Sequence, residues 1–148
     1  MGKDLYRNFP VFRERFCQCS REYEKYCDRS LKEVIESETI PDYFYRVSFL
    51  QPYHLAYQIS LFALLLSEGV EFCGCVGHSA GELAAFCCSG MLTLEETFRI
   101  AWHRGSCQER LQGRGKMLAV RMSRKEALML CKESGGLVSL GVENGENR

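Results

Sequence analysis

The chain has 148 residues, 46% of them apolar, which suits one compact domain burying about two-thirds of its unfolded surface. Its 19 Lys and Arg residues balance 19 Asp and Glu residues, so the formal net charge is zero. That balance excludes the basic footprint of a nucleic-acid binder and a polybasic membrane anchor, and the apolar, evenly charged composition excludes intrinsic disorder.

The N-terminus, Met1 to Arg7, has no apolar core region, so no signal peptide is expected. Tyr6 stands where N-myristoylation requires Ser or Thr. Phe9 to about Ile35 reads as two helices with charged outer faces. Pro41 and Pro52 bracket a segment, Asp42 to Gln51, expected to be a loop with a little extended structure. Pro52 to Glu68 reads as a long apolar helix that Gly69 stops. Its richest run, Ile59 to Leu66, is far too short to span a membrane.

Val70 to Val76 suits a buried strand that runs into Gly77-His78-Ser79-Ala80-Gly81. A helix from Glu82 to Ser89 stops at Gly90, and another spans about Leu94 to Leu111. The tail reads as strand (Met117 to Met122), helix (Lys125 to Glu133) and strand (Leu137 to Val142). Gly113-Arg114-Gly115 marks a boundary between residues 1–112 and 116–148. Asn144-Gly145 favours a turn, and a turn normally leads to a further element, so the fold is expected to continue past Arg148. Three capping boxes, Ser30…Glu33, Thr93…Glu96 and Ser123…Glu126, mark helix starts.

Nine cysteines include no C-x-x-C pair, and the count is odd. With no secretion signal, reduced thiols are expected, those of Cys73, Cys75, Cys87 and Cys88 buried in apolar runs. No metal site is expected from these spacings, and the implied compartment is the cytoplasm.

The pentapeptide Gly77 to Gly81 fits G-x-S-x-G. In that pattern a sharp strand-to-helix turn lifts the serine hydroxyl clear, and small flanking residues let the backbone make the turn. The next amide, Ala80 N–H, sits at a helix N-terminus and can stabilise an oxyanion. A five-residue pattern also arises as a glycine-rich turn with a capping serine, so the pattern alone leaves both readings open.

Gly77-His78-Ser79-Ala80-Gly81-Glu82-Leu83-Ala84-Ala85 resembles the GHSxGE-x-AA signature of malonyl/acyl-CoA:acyl carrier protein transacylases, the acyltransferase domains of fatty acid and polyketide synthases. Asn8 to Phe12 resembles the family's early helix, Gln51-Pro52 its Gln-Pro segment, and Gly90 to Glu96 its G-x-L-[ST]-L-E-[ED] stretch. Arg104 falls where the family keeps an arginine, and Gly115 to Val120 resembles the strand opening its small subdomain. The implied fold is α/β: part of an α/β-hydrolase-like large subdomain with a parallel strand, elbow and helix, then the start of a ferredoxin-like small subdomain.

The resemblance implies ping-pong transfer. Ser79 attacks the thioester of malonyl-CoA or a related acyl-CoA, and the phosphopantetheine thiol of an acyl carrier protein collects the acyl group. Arg104 would hold the extender carboxylate; its bland alternative is a solvated helix-face cation. Gln51 would line the pocket, or serve only as a helix-entry residue. His78 is placed beside the substrate, its ring packing or bonding locally rather than acting as the base. No bound cofactor or metal is implied. The implied partners are an acyl carrier protein and flanking synthase domains, with no nucleic acid and no membrane.

The family's Gly-Gln-Gly loop and its downstream catalytic histidine have no counterpart in these residues, and His54, His78 and His103 match neither. The chain is therefore expected to be part of a longer acyltransferase domain and inactive alone. Two alternatives are a non-catalytic relative that binds CoA or carrier protein, and a serine esterase or lipase, for which an HGGG-type loop is missing.

Overall fold

The structure, a computed structural model, describes residues 1–145. Contacts divide the chain into two units, Met1–Gln112 and Gly113–Arg148. Residues 146–148, at the end of the expected small subdomain, lie outside the described residues.

The first unit is a helical assembly around one long apolar helix. Its elements are α1 (Lys3–Asn8), α2 (Pro10–Glu24), α3 (Leu31–Glu36), a short 3-10 turn (Asp42–Tyr45), α4 (Val47–Ser67), α5 (Gly81–Cys88) and α6 (Leu94–Glu109). Helix α2 buries Phe12, Phe16, Cys19 and Tyr23, the i, i+4, i+7, i+11 stripe of an amphipathic helix. That stripe faces α4, where Phe16 meets Tyr53 edge-on at 5.5 Å between ring centroids and Tyr23 meets Phe49 at 5.7 Å. Edge-to-face pairs of this kind add roughly 0.5–1.5 kcal/mol each beyond their buried area. Helix α4 is apolar nearly all round because α2, α5 and α6 all pack on it.

Helix α4 starts earlier than the proline spacing suggests. It begins at Val47, so Pro52 lies inside it, and Asp42 to Gln51 is a 3-10 turn plus the first helical turn rather than an extended loop. The proline has no N–H to give the carbonyl of Ser48 one turn back. The buried Tyr23 hydroxyl donates to that carbonyl instead, at 3.3 Å. A tertiary hydrogen bond thus replaces the helical one.

The helix ends follow local chemistry. Gly69, at φ 84°, closes α4. Thr93 and Ser123 form full capping boxes with Glu96 and Glu126. Ser30 accepts from the Glu33 amide at 3.4 Å, but its own hydroxyl donates to Glu24 at 2.6 Å, so this cap is tied to α2 and is not a reciprocal box.

The second unit contains α7 (Arg124–Glu133), with Arg124 and Glu143 paired at 2.9 Å. Here and in the first unit the three runs expected as strands, residues 70–76, 117–122 and 137–142, carry no regular secondary structure. A strand exists only through ladder bonds to a neighbour, and none of these runs has one among the described residues. The two in the tail do not bond to each other either, so the expected strand–helix–strand unit is present only as its helix. Their apolar side chains are therefore exposed: Val76 is 97% accessible, Met117 93% and Leu137 91%. For the same reason Cys73 and Cys75 are exposed and Cys87 and Cys88 only half-buried, against the expectation of buried thiols. Cys19 is the buried one, and burial pushes the Cys88 thiol up to about 12.

Helices α4 and α6 approach closely at Gly105. A Cβ there would lie 2.8 Å from Ser48 Cα and 3.0 Å from the Val47 carbonyl oxygen, both backbone. Gly105→Ala should force the helices apart and lower the unfolding free energy by about 1–3 kcal/mol, read from the urea midpoint. An unchanged midpoint would show that the crossing is not this close.

Candidate active site

The Gly77 to Gly81 segment is a tight turn leading into α5. The Gly81 amide donates to the His78 carbonyl at 2.9 Å, and the Glu82 amide to the Ser79 carbonyl at 3.2 Å. A Cβ on Gly77 would lie 2.1 Å from the Gly81 carbonyl oxygen, so only glycine fits there. Ser79 is the one non-glycine residue with positive φ among the described residues, at 55°. A serine in the left-handed region costs roughly 1–2 kcal/mol, and that conformation presents its side chain at the exposed apex of the turn. The Ala80 amide, just before the first residue of α5, donates to no group among the described residues. It stands at the positive end of the helix dipole.

Arg104 reaches this turn from α6. Its Nη2 donates to Ser79 Oγ at 3.2 Å, and its Nη1 donates to Gln51 Oε1 on α4. The other end of the Gln51 amide donates to Gln108 Oε1, one turn beyond Arg104 on α6. A continuous polar chain therefore runs Gln108, Gln51, Arg104, Ser79. Among the described residues Arg104 has no carboxylate within salt-bridge distance; the nearby Glu109 side chain is turned to Arg46, at 3.8 Å. The half-buried guanidinium keeps its charge uncompensated beside a serine hydroxyl.

The structure thus brings together Ser79, Arg104 and Gln51, with Ala80 next in the turn. It does not join His78 to them: the ring is exposed and makes no side-chain hydrogen bond among the described residues. The exposed His103 ring lies 4.9 Å from Trp102 and 6.5 Å from Tyr26. His54 is held below its ordinary pKa by burial and by the N-terminal ammonium. No histidine hydrogen-bonds Ser79 among the described residues. Gln108 escaped the sequence reading; an i, i+4 partner of Arg104 was the only signal for it.

The profile of the family described as "Acyl transferase domain" matches residues 1–148. The chain belongs to that family. It is 36% identical to the Spectinabilin polyketide synthase system protein NorA' of Streptomyces orinoci over 146 residues, 98% of this chain and 4% of that protein. It is 34% identical to the Reducing polyketide synthase grgA of a Penicillium species, over 99% of this chain and 6% of that protein. Among solved structures, a loading acyltransferase from the avermectin modular polyketide synthase superposes with a TM-score of 0.82 at 36% identity, covering 90% of this chain and 42% of that one. The chain therefore spans under a tenth of these curated relatives and less than half of the solved acyltransferase. The unpaired runs at residues 70–76, 117–122 and 137–142 occur in a chain that otherwise superposes closely on an acyltransferase fold.

The backbone of the elbow gives a direct test that needs no substrate. Ser79→Gly and Ser79→Ala both remove the hydroxyl, and only alanine keeps the left-handed strain. The glycine variant should be more stable than the alanine variant by about 1 kcal/mol in urea unfolding. Equal stability would show that position 79 is unstrained.

Proposed function

We propose that this chain supplies the nucleophile and the carboxylate anchor of an acyltransferase that moves a malonyl or related group from CoA to the phosphopantetheine thiol of an acyl carrier protein, as one domain of a polyketide or fatty acid synthase. The observation that carries this reading is Arg104 Nη2 lying 3.2 Å from Ser79 Oγ with no acidic partner among the described residues. A half-buried cation without a counter-charge suits an anionic ligand, and a planar guanidinium grips a carboxylate with two bonds.

Ser79 Oγ gives up its proton to a base and attacks the thioester carbonyl. The oxyanion takes a hydrogen bond from the free Ala80 amide at the α5 N-terminus. Loss of one such donor costs roughly 2.7–4 kcal/mol in other serine enzymes. Collapse of the adduct expels CoA as its thiolate, which takes up a proton, and leaves an acyl-Ser79 ester. The carrier thiol then attacks that ester by the same steps in reverse order. Arg104 holds the free carboxylate of the malonyl group throughout. The Arg104–Ser79 bond gives way when the substrate carboxylate arrives, which frees Oγ for attack. CoA ester and carrier protein are substrates, and the sequence of steps calls on no bound cofactor.

In this reading the base is none of His54, His78 or His103, since none of them hydrogen-bonds Ser79 among the described residues. The 148-residue chain by itself should therefore load slowly or not at all. In a complete acyltransferase domain carrying this chain, Ser79→Ala should abolish acyl loading. Arg104→Ala should lower loading from malonyl-CoA by at least about tenfold relative to acetyl-CoA, since a hydrogen-bonded charge pair is worth about 1.5–3 kcal/mol. Intact-protein mass spectrometry after incubation with each CoA ester reads both. Unchanged malonyl preference in Arg104→Ala would remove the anchor role.

A further inference from the structure

We propose that Gln108 is a positioning residue that sets the selectivity of this site for acidic acyl groups by holding Gln51 against Arg104. The proposal rests on the acyl-transfer reading of Ser79 and Arg104. Its geometry comes from the crossing of α4 and α6. Arg104 and Gln108 are one turn apart on α6 and face the same side, and Gln51 on α4 lies between their side chains. A guanidinium has only donors, so the Gln51 amide must turn its oxygen to Arg104. Its NH2 group then points the other way, and Gln108 Oε1 is the acceptor that meets it.

Each end of the Gln51 amide is thereby fixed by a side chain of the same helix. With Gln108 gone, Gln51 keeps one bond and regains rotation about its long side chain. Arg104 Nη1 loses a fixed acceptor, and the fork that aims Nη2 at Ser79 loosens. Both anchors are neutral. They restrain the guanidinium without cancelling its charge, whereas a carboxylate in either place would compete with the substrate's own. Gln108 is exposed and touches none of the reacting atoms, so its effect passes through Gln51.

The test is a double-mutant cycle in a complete acyltransferase domain carrying this chain, with KM and kcat measured for malonyl-CoA and acetyl-CoA loading. Gln108→Leu should raise KM for malonyl-CoA about threefold to tenfold, the range set by one lost hydrogen bond, and lower the malonyl-to-acetyl ratio by the same factor. In a Gln51→Leu background the same change should have no further effect, because its route is already cut. General damage to the fold would lower both substrates alike and leave the ratio unchanged, which would overturn the proposal. A Gln108→Leu penalty that persists undiminished beside Gln51→Leu would also overturn it. If Arg104→Ala itself leaves the ratio unchanged, the anchor reading fails and this proposal with it. If Arg104→Ala lowers the ratio and Gln108→Leu does not, only the role of Gln108 falls.

Discussion

The closeness of α4 to α6 at Gly105 governs the arrangement of the site. Only a hydrogen in place of a side chain lets the α6 backbone settle on Ser48. Arg104 is the residue before that glycine, and Gln51 lies one turn along α4 from Ser48. The contact that joins the helices therefore also sets the distance between the cation and its amide partner. Tyr23 secures the same place from the other side, donating to the Ser48 carbonyl that Pro52 leaves free. Three elements thus meet at one carbonyl and one glycine, and Arg104 stands directly on that junction.

Against this fixed cation stands a strained serine. The elbow holds Ser79 at φ 55°, leaves the Ala80 amide free at the start of α5, and brings the serine hydroxyl within hydrogen-bond reach of the Arg104 guanidinium. Neutral amides, rather than carboxylates, restrain Arg104. A site that must hold a negative group reversibly needs a cation that is oriented but not neutralised. The chain of Gln108, Gln51 and Arg104 meets both conditions.

Much of this was legible in the sequence because the signals are local. Capping boxes at Thr93 and Ser123, stop glycines at Gly69 and Gly90, and the G-x-S-x-G turn each rest on residues a few positions apart. The start of α4 was not legible, because a tertiary bond from Tyr23 lets the helix run through Pro52. The three apolar runs have strand composition, but pairing depends on neighbours that composition cannot supply. Ser79 and Arg104 were recognisable by resemblance, yet their contact depends on how the turn before α5 lies against α6. Gln108 carries no motif, and its meaning appears only once Gln51 is seen between it and Arg104. His78 shows the opposite case, a motif residue whose ring joins no polar partner among the described residues.

The central claim is that Arg104 receives the carboxylate of the group carried by Ser79. A crystal structure of the complete domain with malonyl trapped on Ser79 measures this most directly. The account predicts the carboxylate paired with the Arg104 guanidinium at about 2.7–2.9 Å, with the Arg104–Ser79 bond released and Gln51 still in place. A malonyl carboxylate turned to solvent or to another cation, with Arg104 still bonded to Ser79, would contradict it.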